Sequence, residues 1–323
     1  MDLEIYREIY NKNYKLNSEK KNCLCGSSLN KTIFKYDRYL LKHTIVVCKN
    51  CGLIFSNPML KKSFIENFYQ SDFYRKLYNH NCKDTDKNFF SGEGDNSFNS
   101  YNFLKKFLPQ KNNLNVLEIG SGHNANLTHF KKIGSLFAVD YSKESKKLAN
   151  NLGIKFEQGG VSKVKNFCLK FDIIILSHVI EHFQDFINDI NELKKFTHKN
   201  TLFYIEVPSM DLKYNLDQLQ NAHNFYFTKN TFLFYLNRLG LICLEHGTAS
   251  GIHQYGIFKI GKSDEIKIDN EEYKKIMKIH KKFFLDFYWK YLLNLYFRMM
   301  IKKLVGRKLT SIIKNLMTKI RNK

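Results

Sequence analysis

Between Leu114 and Asp140 two short apolar runs flank a glycine turn, and few folds accommodate that order. Val116, Leu117 and Ile119 suit a buried central strand, and Gly120 and Gly122 end it where a helix should begin. Without a Cβ, both glycines can take positive φ and let a ligand's polar groups press on the backbone, while the next helix points its positive end at them. A helix over Asn126–Ile133 and a second strand over Leu136–Val139, ending on Asp140, are expected to follow. An acid at the tip of the second strand of a doubly wound sheet is placed to bind ribose hydroxyls. A lone glycine turn also occurs as a plain tight loop in any α/β protein, so the acid is what makes the pattern specific.

Glu118-x-Gly120-x-Gly122 followed by Val139-Asp140 resembles the first two motifs of class I S-adenosylmethionine-dependent methyltransferases. The resemblance implies an α/β, Rossmann-like seven-stranded sheet. It also implies S-adenosylmethionine contacts from Glu118, Gly120, Ser121, Gly122, Asp140, Tyr141, Gln158, Gly159 and Ser177. Two positions depart from it: Asn124 stands where a third glycine is usual, and Gly160 where an acid commonly binds the adenine amine. Asn tolerates the left-handed region, and Gln158 is the expected substitute for the acid.

The remaining strands are expected at Ile154–Phe156, Phe171–Leu176, Thr201–Val207, Leu241–Glu245 and Gly256–Ile260, the last two as an antiparallel hairpin. After the fourth strand comes His178-Val-Ile-Glu181-His182. On a helix these three polar groups would share a face. A histidine there can act as general base, the three can hold a divalent metal as a similar cluster does in some quinone-pathway methyltransferases, or Glu181 and His182 can simply cap and pack the next helix. His223, in Asn221-Ala-His-Asn-Phe-Tyr-Phe-Thr228, is the second base candidate, since this segment resembles one that reaches the acceptor pocket in that family; polar surface is the alternative. Thr228 should cap a new helix.

Four of the seven cysteines precede residue 52, as Cys23-x-Cys25-Gly26 and Cys48-x-x-Cys51-Gly52. Two close thiolate pairs suit tetrahedral Zn²⁺, with a hairpin between them over Thr32–Val47 as in a zinc ribbon. The first pair is one residue short of the common spacing, and reduced cysteines in a packed module are the other reading. Cys82, Cys168 and Cys243 have no comparable spacing. Val47–Pro58 and the short helix Phe64–Tyr69 resemble the N-terminal zinc-binding module of methyltransferases acting on nucleotide-linked sugars and in polysaccharide gene clusters, in which that helix would cover the cofactor cleft.

Charge sits mainly at the far end. Residues 274–323 hold fifteen Lys or Arg and one acid, so fourteen of the net +22 charges lie there. Lys282, Asp286, Lys290, Asn294, Arg298 and Lys302 recur every four residues through an apolar run, and Gly306 should break it from a second basic helix over Leu309–Ile320. Three uses stay open: packing on the body or forming an oligomer, lying on an anionic membrane surface, or binding nucleic acid, for which the run is too apolar to be typical. The expected organisation is a zinc-ribbon-like module (1–60), a helical lid with a Ser91–Asn96 hinge loop (61–110), the S-adenosylmethionine-binding domain (111–262) and a basic helical tail (263–323). With a polar start and 43% hydrophobic content the chain reads as cytoplasmic and core-forming, and as peripheral on the inner face of the membrane if the tail binds lipid. The expected acceptor is a sugar, free, nucleotide-linked or lipid-linked; a quinone, an RNA, or a lapsed enzyme kept as a binding protein are the alternatives.

Overall fold

A computed structural model describes residues 3–70, 100–111, 113–214, 216–262, 268–286 and 289. Residues 1–274 pack as one compact unit and residues 275–323 as a second. The Ser91–Asn96 loop, Cys82, most of the basic stripe and the second basic helix lie outside the described residues.

The chain starts with α1 (Leu3–Asn13), and β1 (Ser18–Glu19) later pairs with β5 (Met59–Leu60). Between them run β2 (Asn30–Tyr36), β3 (Lys42–Cys48) and β4 (Ile54–Ser56), so the hairpin expected over Thr32–Val47 is present and gains a third strand. Helix α2 (Lys62–Gln70) follows, its buried Ile65 and Phe68 three residues apart on one face and packed with Tyr10 of α1 and Tyr14 just beyond it.

The central sheet is built from β6 (Leu114–Ile119), β7 (Gly134–Asp140), β8 (Lys155–Gln158), β9 (Phe171–Ser177), β10 (Thr197–Pro208), β12 (Leu241–Thr248) and β13 (His253–Ile260). The short β11 (Phe225–Tyr226) leaves this sheet and pairs with β4, completing the N-terminal sheet from late in the sequence. The central order is β12-β13-β10-β9-β6-β7-β8, and β13 runs antiparallel to both its neighbours. From β6 the chain steps to β7 on one side, while β9 pairs on the other. That reversal is the topological switch point, where open α/β sheets bind ligands at the carboxyl ends of their strands.

Alternation along the strands builds two cores. Leu117, Ile119, Ile174, Leu176, Phe203 and Ile205 pack on the face shared with the cysteines and Phe55, while Val116, Ile173, Ile175 and Tyr204 pack on the face of Leu127 and Phe130. The one acid in β9, buried Asp172, sits at the other end of the strand. Burial opposes its charge, but Asn115 N–H, Lys111 Nζ and His198 Nε2, at 2.8, 3.0 and 3.1 Å, hold its pKa below the ordinary value.

Helices flank the sheet. The helix expected over Asn126–Ile133 is α4 (Ala125–Thr128), following α3 (Ser100–Leu104). Beyond Thr128 the chain makes three-residue turns, Phe130 N–H to Leu127 O at 2.9 Å and Ile133 N–H to Phe130 O at 3.0 Å, which bury Phe130 and return the chain sharply to β7. Then come α5 (Lys143–Leu152), α6 (Phe186–Lys194) and α7 (Lys229–Arg238). Thr228 caps α7 in a reciprocal box with Thr231, as its position predicts.

Candidate active site

The turn after β6 holds Gly120, Gly122 and Asn124 at φ 65°, 50° and 60°. Asn124 thus keeps the left-handed geometry of the missing glycine, and its buried side chain donates from Nδ2 to Ser145 O at 3.2 Å. Asp140 closes the loop from the tip of β7: Oδ2 accepts from Gly122 N–H at 2.9 Å and Oδ1 from Ser142 N–H at 2.8 Å. A Cβ on Gly120 would lie 2.6 Å from Val179 Cγ2, so the loop rests directly on the segment that carries the histidines.

Glu118 is buried beneath this loop, with Oε1 accepting from Asn126 Nδ2 at 2.9 Å. Burial pushes its pKa up to about 8, against the Asn126 hydrogen bond. Glu118 Oε2 and Ser121 Oγ are buried without a hydrogen-bond partner among the described residues. Two orphaned polar atoms at a positive-φ glycine turn fit a ligand that brings its own donors and acceptors, as the amino-acid end of S-adenosylmethionine does.

At the β8 end, Gln158 Nε2 donates to Tyr141 O at 3.0 Å and Gly159 N–H to Asp140 O at 2.9 Å. A Cβ on Gly160 would stand 2.5 Å from Tyr141 Oη, so a larger residue there would require the tyrosine side chain to shift. That hydroxyl donates to Glu66 Oε1 at 3.3 Å, and the Tyr141 ring stacks on Tyr69 at 5.9 Å. Helix α2 therefore does reach the site, through Glu66 and Tyr69. Ser177 ends β9 with Oγ donating to Glu206 Oε2 at 3.4 Å.

The histidine segment is not the α-helix its spacing predicts. His178 takes φ 55°, and only Ile180–His182 forms a single 3-10 turn. The polypeptide must leave β9 abruptly to pass Gly120, and the two histidines consequently serve separate clusters. His178 sits between two carboxylates, Nδ1 at 3.5 Å from Glu181 Oε1 and Nε2 at 3.5 Å from Glu206 Oε1, edge-on to His253 at 4.3 Å. Desolvation works against its charge, yet the hydrogen bonds and negative charges of Glu181 and Glu206 prevail and raise its pKa to about 10. Burial likewise opposes ionisation of Glu206, but His178 and His253 hold it at about 2, and Tyr204 Oη donates to Oε2 at 2.8 Å. An imidazolium so held suits donating to an acceptor oxygen rather than taking its proton.

His182 and His223 lie edge-on to each other at 4.7 Å, and burial lowers both pKa values. His182 Nδ1 contacts Ala222 O at 3.1 Å and Tyr69 Oη at 2.8 Å. Asn224 braces the pair, its N–H donating to Glu181 O at 2.7 Å and its Nδ2 to His182 O at 3.1 Å. Sequence reasoning passes over Glu206 and His253 as site residues, whereas Tyr69 belongs to the helix expected to cover the cleft. Glu206 leaves a trace, a lone acid at the end of an apolar strand; His253 leaves none, since only the hairpin brings it in.

On the N-terminal face, Cys23, Cys25, Cys48 and Cys51 gather with their sulfurs within 4.8 Å of one another. Cys23 and Cys51 sulfurs are 3.5 Å apart and those of Cys25 and Cys48 3.7 Å. A tetrahedral Zn²⁺ with bonds of about 2.3 Å requires sulfur separations of about 3.8 Å, so the shortened first pair fits. Gly26 and Gly52 take φ 87° and 72° after each pair, Asn50 N–H points to Cys48 Sγ at 3.4 Å, and Tyr235 Oη of α7 lies 3.0 Å from Cys51 Sγ. Cys168 is exposed and Cys243 half-buried, and neither joins the cluster. In the second unit, residues 275–286 are helical with Phe284 and Leu285 exposed. Among the described residues no helix is long and apolar enough to cross a membrane.

Residues 98–251 match the family model described as "Methyltransferase domain". No curated protein matches the sequence. Among solved structures, the plantazolicin methyltransferase BpumL in complex with SAH is similar at 16% identity, with 61% of this chain and 94% of that one covered and a TM-score of 0.47. The 1,6-didemethyltoxoflavin-N1-methyltransferase of Burkholderia thailandensis is similar at 15% identity, with 64% and 95% covered and a TM-score of 0.43. With that domain match laid over the strand order and the glycine loop closed by Asp140, the chain is an S-adenosylmethionine-dependent methyltransferase.

Proposed function

We propose that the enzyme methylates a hydroxylated acceptor, a sugar that is free, nucleotide-linked or carried on a lipid intermediate, in the assembly of cell-surface polysaccharide. One observation carries this reading: the His178–Glu206–His253 cluster, a partly exposed set of charged donors and acceptors next to the cofactor loop. Such a surface recognises hydroxyls and is poorly matched to an apolar quinone ring. Bound S-adenosylmethionine supplies an already electrophilic methyl group. The task left to the protein is to hold the acceptor in line, with the His178 imidazolium and Tyr204–Glu206 orienting its oxygens. The four cysteines hold a structural Zn²⁺ that ties the N-terminal sheet to α7. The basic tail places the enzyme at the cytoplasmic face of an anionic membrane, where lipid-linked acceptors lie.

The test is methyl turnover on a panel of sugar nucleotides and lipid-linked sugars, alongside a quinol and a structured RNA. Turnover on a sugar acceptor, lost in Glu206→Gln while S-adenosylhomocysteine still binds, is the expected result. Turnover confined to the quinol or the RNA would overturn the acceptor assignment.

A further inference from the structure

Helix α2 precedes the matched methyltransferase domain, yet it carries a carboxylate to the cofactor crevice. We propose that Glu66, together with the Tyr141 hydroxyl it holds, accepts the adenine amine of S-adenosylmethionine, so that the purine is read from outside the central domain. The proposal rests on the cofactor assignment and not on the acceptor.

The line along which the cofactor lies follows from the strand order. Orphaned Glu118 Oε2 and Ser121 Oγ mark its amino-acid end beneath the glycine loop, and Asp140 at the tip of β7 is placed for the ribose. Continued along that line, the nucleoside reaches the tip of β8, the edge strand. The exocyclic amine of adenine brings two N–H donors, which need acceptors there.

That edge offers few. Gly160 has no side chain, and Gln158 is turned so that Nε2 donates to Tyr141 O at 3.0 Å. Into the space that a side chain at 160 would fill leans Tyr141 Oη, 2.5 Å from the Cβ position. Its proton goes to Glu66 Oε1 at 3.3 Å, which leaves the phenolic lone pairs and the second carboxylate oxygen as acceptors. Burial, and after it the charge of Glu66, raises the Tyr141 pKa above its ordinary value, so the hydroxyl keeps that proton. Glu66 is half-buried and forms no ion pair among the described residues. A carboxylate so placed suits a ligand that donates.

Glu66 and Tyr69, three residues apart, share one face of α2. The Tyr69 ring stacks on Tyr141 at 5.9 Å and 17°, and its hydroxyl lies 2.8 Å from His182 Nδ1. One helix face thus spans from the end of β7 to the segment after β9, across the switch point. With both the ring and the hydroxyl of Tyr141 held, the acceptor pair is formed before the purine arrives.

The experiment compares S-adenosylhomocysteine with S-inosylhomocysteine, in which a carbonyl oxygen replaces the amine, by calorimetric titration of the full-length enzyme. A carboxylate facing that oxygen sets acceptor against acceptor, whereas a glutamine amide can donate to it. Wild type is expected to favour S-adenosylhomocysteine by at least about tenfold, as a hydrogen bond to a charged group contributes. In Glu66→Gln the preference should fall to about threefold or less, chiefly through lost affinity for the ligand that carries the amine. Equal weakening of both ligands would mean that Glu66 only props Tyr141, and would overturn the proposal. A preference kept in Glu66→Gln but lost in Gln158→Met would overturn it too, and assign the purine to Gln158. Wild type that bound neither ligand would remove the cofactor assignment and the proposal together, an outcome distinct from both.

Discussion

Replacing Gly120 with alanine tests the whole arrangement through one methyl group. The backbone there has φ 65°, which costs a residue bearing a Cβ roughly 1–2 kcal/mol. The new Cβ would also stand 2.6 Å from Val179 Cγ2, whereas carbon atoms rest at about 3.5–4.0 Å, so about 1 Å must be opened. Val179 is β-branched with few rotamers to escape into, and overpacking of this kind costs about 1–3 kcal/mol. Together these give about 2–5 kcal/mol, or at least about a thirtyfold loss, shared between thermal stability and S-adenosylhomocysteine affinity. In the double variant Gly120→Ala/Val179→Ala the overlapping methyl is gone, and only the backbone cost of about 1–2 kcal/mol should remain. Calorimetric titration with S-adenosylhomocysteine and thermal unfolding of both variants measure the two parts. Wild-type affinity and stability in Gly120→Ala, or a double variant no better than the single, would refute the contact on which the site's geometry rests.

Other expectations follow from the charged groups, the cysteine cluster and the α7 cap. His178 is raised from 6.5 to about 10, so its stabilising charge is full below pH 6.5 and fades as the pH climbs to about 10, while Glu206, lowered from 4.5 to about 2, loses its contribution only as the pH falls toward 2. The melting-temperature gap between wild type and His178→Gln should therefore be steady from pH 5 to 6.5 and shrink above it; a gap independent of pH up to 10 would contradict the pairing. Tyr235→Phe removes the hydroxyl 3.0 Å from Cys51 Sγ and should speed zinc loss to a chelator by about tenfold, read with a zinc-sensitive dye; unchanged release would remove Tyr235 from the site's support. Thr228→Ala removes the half of the α7 capping box in which Thr228 Oγ1 accepts from Thr231 N–H, and should cost about 1 kcal/mol in denaturant unfolding; no loss at all would contradict the cap.

What could be read in the sequence was what local rules dictate. The apolar runs of β6, β7 and β9 mark buried parallel strands because both faces of such a strand are covered and favour apolar side chains, and Gly120, Gly122 and Asp140 are legible because only certain residues tolerate positive φ or can end such a strand usefully. The cysteine pairs and the Thr228 cap are local in the same sense. Periodicity misled at His178–His182, where a four-residue spacing looks helical, and at the helix after Asn124, which the return to β7 cuts short.

Tertiary structure alone decided which polar groups meet. Glu206 comes from β10, His253 from the far hairpin and Tyr69 from a helix before the central sheet; no spacing connects them to His178 or His182. The same holds for charge state: Glu181 and Glu206 overcome burial and raise the pKa of His178, whereas burial prevails at His182 and lowers it, although the two stand four residues apart. A side chain's type is written in the sequence, but its pKa and partners depend on distances across the fold, and those are set only once the sheet has closed around the switch point.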